Sequence, residues 1–175
     1  MQPITEIPGL LRIENRQFSD QRGSLYKINL NEENKLNFHT TEVFVTESAL
    51  GTFRGMHLQW GTHSTKKVIT LIRGSILWFA VDNREGSNFG KIYSEKVTES
   101  YKNSFLIPHG VAQGYVSLEE KTQVLYQMDG AFCKDCDTGN KSSTILNLAK
   151  IAVQADLIIS DRDSMLSETC VEVRH

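Results

Sequence analysis

KVITLIRG followed by SILWFAVD, residues 67–82, reads as two β-strands separated by the turn signal Arg73-Gly74-Ser75. Each half is a short run of Val, Ile, Leu, Phe and Trp, residue types that suit a pleated, half-buried surface, and the glycine between them supplies a turn. The pattern recurs in both directions. Upstream stand GSLYKINL (23–30) and TEVFVTES (41–48); downstream stand KIYSEKVT (91–98) and TQVLYQM (122–128). Asn83-Arg84-Glu85-Gly86 and Pro108-His109-Gly110 punctuate the interval. No helix-period segments alternate with these strands, so the expected fold is all-β, an antiparallel sandwich or barrel rather than a parallel doubly wound sheet. After Met128 the signal weakens. Residues 133–143 read as a polar loop, and residues 143–155 suit either a helix or another strand, with helix preferred near 145–153.

The chain has 175 residues, which fits one domain spanning 1–175. Its 19 Lys+Arg are offset by 21 Asp+Glu, so no surplus positive charge is available for a phosphate backbone, which argues against nucleic-acid binding. With 39% hydrophobic and 23% charged residues there is enough apolar material for a core. The first seventeen residues lack a basic cluster and a long apolar stretch, and the longest apolar run, 76–81, is too short to cross a bilayer; a cytoplasmic location without membrane partners is expected. Three cysteines in that setting are expected to stay reduced, with no disulfide framework. Cys133-Lys134-Asp135-Cys136 has CxxC spacing, but with no second CxxC and no His near it in the sequence it reads as an ordinary loop.

Among the five histidines, His57 has the densest polar neighbourhood, Arg54-Gly55-Met56-His57-Leu58-Gln59. Strand alternation points His57 and Gln59 to one face with Gly55 beneath, which could place a base on an inner wall. Taken alone, a His between two apolar neighbours is more often a satisfied core or surface residue than a base. No His-x-His pair occurs, so no metal is expected. There is no Gly-x-Ser-x-Gly elbow for nucleophilic hydrolysis and no glycine-rich phosphate loop. Tyr126, by composition, is a core strand residue.

FSDQRG (18–23), FRGMHLQ (53–59), Lys67 ten residues after the histidine, RGSILWFAVDNREGSNFGK (73–91), LIPHGVAQGY (106–115), VLYQM (124–128) and ISDRD (159–163) occur in that order. Together they resemble the successive motifs of the dTDP-4-dehydrorhamnose 3,5-epimerase family, over about residues 7–165. The resemblance implies a cupin-type jelly roll, a homodimer in which the N-terminal strand of each subunit reaches towards the partner's site, and a nucleoside-diphosphate 4-keto-6-deoxy sugar as substrate, used in deoxysugar and surface polysaccharide synthesis. It also implies epimerisation beside the ketone with no cofactor and no metal.

Position by position, His57 resembles the family's base and Asp163 the carboxylate that hydrogen-bonds it. Tyr126 resembles the acid that reprotonates from the other face, and Lys67 the cation near the C4 oxygen. Arg22 and Arg54 resemble substrate-binding arginines, Phe18 lies in the same N-terminal motif, and Phe132 stands where an aromatic stacks on the nucleobase. Arg84 matches a family position but reads as structural. The chain departs from the pattern at Gln113, where the family commonly has a histidine and where Gln can still donate a hydrogen bond to the sugar. It departs again at Lys27, in place of a Glu, and around 141–143, where a Trp-Asn-Asp segment is missing. Those departures leave open the nucleotide, dTDP or CDP, and whether C3, C5 or both are inverted. A 3,4-ketoisomerase and a non-catalytic sugar-nucleotide binding protein are the alternatives.

Overall fold

At Gly74 the chain passes from one sheet to another. The structure, a computed structural model, describes residues 1–28, 36–101 and 103–168. Strands β1 (Gln2–Pro3), β2 (Leu11–Glu14), β5 (Glu42–Ser48), β7 (Lys67–Arg73), β10 (Asn103–Ile107) and β12 (Thr122–Met128) form the first sheet, in the order β1-β2-β10-β7-β12-β5. The second contains β6 (Thr52–Gln59), β8 (Ser75–Asp82), β9 (Ile92–Thr98), β11 (Val111–Ser117) and β13 (Asp137–Gly139), in the order β13-β6-β11-β8-β9. β3 (Arg16–Asp20) and β4 (Gly23–Lys27) make a separate two-stranded hairpin, and β14 (Ile158–Ile159) lies on β6. Helices α1 (Ser143–Val153) and α2 (Asp161–Ser164) follow β13 and β14 respectively. β7 and β8 therefore belong to different sheets although only Gly74 separates them. Gly74 has φ +85° and sits against Thr122, a corner that a side chain would obstruct.

Alternation explains how each strand is used. Ile69 of β7, Ile76, Trp78 and Ala80 of β8, Phe105 and Ile107 of β10, Tyr115 of β11 and Val124 of β12 fill the space between the sheets. Trp78, wholly buried, packs on Phe105 at a ring-centroid distance of 4.4 Å and edge-on to Tyr93 at 6.1 Å. Such pairs contribute about 0.5–1.5 kcal/mol each beyond area burial. The outward residues are covered too. Phe79 and Val81 of β8 and Ala112 and Val116 of β11 meet Ile145 and Ala149 of α1, while Val68 of β7 and Leu106 of β10 lie beneath Leu36 and Phe38.

This is the expected all-β antiparallel jelly roll; among the described residues, the ladders between named strands run antiparallel except β14 on β6. Residues 143–153 form the helix rather than a strand, because Ile145 and Ala149, one helical turn apart, land on a single buried stripe. Residues 29–30 of the expected strand 23–30 lie outside the described residues. No helix among the described residues is long and apolar enough to cross a membrane.

Candidate active site

β6 is the strand on which the site is built. Along one edge it pairs with β11, with Gln113 opposite His57, and along the other with β13, with Gly139 opposite His57; farther along that second edge, Ile159 of β14 pairs with Phe53. The β14 contact brings α2 against β6. Ser160 caps α2 by accepting a hydrogen bond from the Asp163 amide at 3.1 Å, as a Ser three residues ahead of an acid is suited to do. Asp163 is thereby held with Oδ1 at 3.0 Å from His57 Nε2, while its Oδ2 accepts the Gly55 amide at 3.0 Å. Burial raises the Asp163 pKa, but the His57 and Gly55 hydrogen bonds outweigh it, so the carboxylate is held below its ordinary range and stays charged.

The second ring nitrogen faces another carboxylate. His57 Nδ1 lies 3.2 Å from Asp137 Oδ2, a close charge contact without the alignment of a hydrogen bond. Asp137 is in turn ion-paired with Arg162, whose guanidinium covers the Phe132 ring at 5.5 Å. Burial opposes charging of the imidazole, but the two flanking carboxylates prevail, and the His57 pKa stands above its ordinary 6.5.

A cleft of about 280 Å³ opens beside this pair, and Arg54, Lys67, Gln113, Tyr126 and Phe132 share its lining with His57 and Asp163. Lys67 begins β7 and is almost fully buried, and among the described residues its ammonium has no hydrogen-bond or ion-pair partner. Burial draws its pKa down to about 8, with the Asp137 carboxylate opposing that fall and Arg162 adding to it. Tyr126, on β12, stacks on Phe44 at 4.8 Å. Burial drives its phenol far above the ordinary 10, reinforced by Tyr115 and only partly relieved by a hydrogen bond from Gln113 and the charge of Arg54. Gln113 accepts the Trp78 indole N–H on its Oε1 at 3.4 Å. Arg54 is oriented by bonds to Ser48 Oγ at 3.0 Å and the Glu47 carbonyl at 3.2 Å. The cleft thus combines a carboxylate-supported imidazole, an unpaired cation and a neutral phenol, the parts needed to remove a proton, stabilise an enolate and return a proton.

Seven residues singled out in the sequence, His57, Asp163, Lys67, Tyr126, Arg54, Gln113 and Phe132, meet at this cleft. Phe18 and Arg22 do not. They sit on the β3–β4 hairpin, exposed, with Arg22 paired to Asp20. Arg84 bonds Asp82 and the Pro8 carbonyl, away from the cleft. Asp137, Arg162 and Phe44 line the cleft and escaped sequence reasoning. Arg162 had a visible signal, its place inside ISDRD, and Phe44 stands directly across the ladder from Tyr126. Asp137 had none, since a polar loop gives no sign of pairing with β6. The cysteine expectation is overturned as well. Cys133 and Cys136 are joined as a disulfide, and the fold brings His63 to them although it lies seventy residues earlier.

The family model for dTDP-4-dehydrorhamnose 3,5-epimerase matches residues 4–169. The chain is 29% identical to the dTDP-4-dehydrorhamnose 3,5-epimerase of Escherichia coli strain K12, over 93% of this chain and 90% of that protein. Among solved structures, the epimerase of that name from Elizabethkingia anophelis superposes with a TM-score of 0.76 at 28% identity, over 92% of this chain and 91% of that one. The Bacillus anthracis enzyme, with TDP and PPi bound, superposes with a TM-score of 0.79 at 26% identity, over 92% and 94%. With nearly the whole length matched, and the cleft residues falling where the ordered motifs put them, the chain belongs to the dTDP-4-dehydrorhamnose 3,5-epimerase family.

Proposed function

We propose that the protein is an epimerase of a nucleoside-diphosphate 4-keto-6-deoxy sugar, acting at the carbons that flank the ketone, with its own side chains moving the protons. The 4-ketone acidifies the hydrogens on C3 and C5. His57, oriented and charge-supported by Asp163, takes one of them; the Lys67 ammonium stabilises the oxyanion as it forms; Tyr126 returns a proton to the opposite face. The observation that carries this reading is the convergence of the His57–Asp163 pair, Lys67 and Tyr126 on one cleft. Arg54 and Arg162 suit the diphosphate, and Phe132, half exposed at the lip, suits stacking on the base. The names of the relatives favour dTDP as the nucleotide. We further infer a homodimer, in which Phe18 and Arg22 of one subunit serve the cleft of the other, and a cytoplasmic enzyme.

The test is NMR of solvent deuterium incorporation into dTDP- and CDP-4-keto-6-deoxyglucose in D2O, with the wild-type chain and with His57→Ala. Label at C3 and C5 of the dTDP sugar, absent with His57→Ala, is the expected result. Label at C3 alone with a shifted carbonyl would instead make the protein a 3,4-ketoisomerase. No exchange above background, with either sugar binding, would make it a binding protein.

A further inference from the structure

Outside the cleft, the 3₁₀ turn Gly61–His63 and the turn Lys134–Cys136 bring three metal-ligating side chains together. The donor atoms of His63, Cys133 and Cys136 all lie within 4.8 Å of one another. Two cysteines at CxxC spacing and one imidazole make a Cys₂His donor set, which favours a soft or borderline divalent cation of the zinc type and leaves a fourth position for water.

The two turns are tied together by a buried side chain. Gln59 donates to the carbonyls of His63 and Ala131, each at 3.2 Å, and accepts the Cys133 amide at 2.5 Å; beside it, the Trp60 amide donates to the Cys136 carbonyl at 3.2 Å. Every polar atom of the Gln59 amide is thus spent on holding the histidine turn against the cysteine turn. That arrangement pre-positions the three ligands without help from an ion. His63 is exposed and both cysteines are partly so, which leaves the cluster open to solvent ions and small thiols.

We propose that Cys133, Cys136 and His63 form a zinc-type site present only in the reduced chain, for which the disulfide is the closed state. Opening it consumes two equivalents of a small thiol: the Cys133–Cys136 bond breaks, each cysteine takes a proton, and the reductant leaves as its own disulfide. On metal binding the two thiols release those protons and coordinate as thiolates, and His63 contributes a nitrogen lone pair. None of the three ligands takes part in the proton transfers assigned to the cleft, although Phe132 and Asp137, which flank the cysteine turn, line that cleft.

The experiment uses the full-length chain carrying Cys170→Ser, so that the pair supplies the only thiols. The protein is reduced with a phosphine, freed of reductant without air, assayed for two thiols, and titrated with Co²⁺ as a probe. Expected are the visible bands of tetrahedral Co²⁺ and a near-ultraviolet thiolate-to-cobalt transition, saturating at one equivalent, bleached by Zn²⁺ and absent from the oxidised protein. Cys136→Ser removes the thiolate transition as formed by the pair, and His63→Ala, a change on the exposed surface, weakens binding by at least about tenfold because one of three ligands is lost. The proposal is overturned if the two-thiol protein gives no such bands, if His63→Ala leaves the titration unchanged, or if the folded chain cannot be reduced.

Discussion

A neutral imidazole and a charged ammonium must coexist for the proposed proton transfer, and the surroundings of His57 and Lys67 bring their titrations close together. Below the His57 pKa, which the two carboxylates hold above 6.5, the ring carries a proton and cannot accept another. Above about 8 the buried Lys67 loses its charge and with it the means to stabilise an enolate. The kcat/KM profile is therefore expected to be a narrow bell, rising through the His57 pKa and falling through that of Lys67. Sequence reasoning would assign the falling limb to Tyr126, but burial keeps that phenol protonated well past the Lys67 transition. Asp137 raises both pKa values, so Asp137→Asn should move both limbs to lower pH; a profile that stays flat from pH 5 to 8, roughly the window of an unperturbed histidine, would remove His57 from the role of base, and limbs that do not move in the variant would remove Asp137 from control of the two titrations. His57, Lys67, Tyr126 and Asp163 were legible in the sequence because ordered motifs carry them. The second carboxylate was not, because nothing local to Asp137 points to His57.

Among the elements, β13 has the least sequence support and the closest contact. In Asp-Thr-Gly only Thr138 favours a strand; the segment becomes one because it fits the open edge of β6. The fit depends on Gly139, where a Cβ would intrude on the Met56 carbonyl oxygen and the backbone of His57. Gly139→Ala is expected to push β13 outward, costing about 1–3 kcal/mol as overpacking does, and to carry Asp137 away from the imidazole. Thermal unfolding should show a lower Tm, and the acidic limb of the pH profile should shift downward as it does in Asp137→Asn. A lower Tm with an unmoved limb would mean that β13 does not position Asp137. The same physics explains which strands could be read in advance. β7, β8 and β12 carry dense apolar runs, whereas β6 and β11 interrupt theirs with Arg54, Gly55, His57, Gln113 and Gly114, the residues that the cleft and the close crossing of the two strands require. The CxxC–histidine cluster was hidden for a related reason, since its third member arrives through the turn after β6 and not through sequence spacing.

For the whole molecule, the homodimer proposed above needs an apolar surface to bury, and two elements offer one. β5 is an edge of the first sheet and leaves Val43 and Val45 more than half exposed, and the β3–β4 hairpin exposes Phe18 and Leu25 to a similar degree. An apolar edge strand left open invites pairing with another chain. If Arg22 of one subunit completes the other's cleft, a mixture of His57→Ala and Arg22→Ala chains, each poorly active, should regain activity as hybrids form with one intact site. Activity no greater than the sum of the separate variants, after subunit exchange has been verified, would confine each site to a single chain. The parallel pairing of β14 with β6 has a consequence for biosynthesis. Both sheets, except for β14, are encoded before residue 140, while Asp163 reaches His57 only after the last strand docks. As a ribosome releases the chain from its N-terminus, the barrel can close around an imidazole that still lacks its Asp163 support, so a nascent or prematurely terminated chain that ends before residue 160 would fold much of the scaffold and have no competent base. On the proposed mechanism, competence waits for α2 to dock on β6.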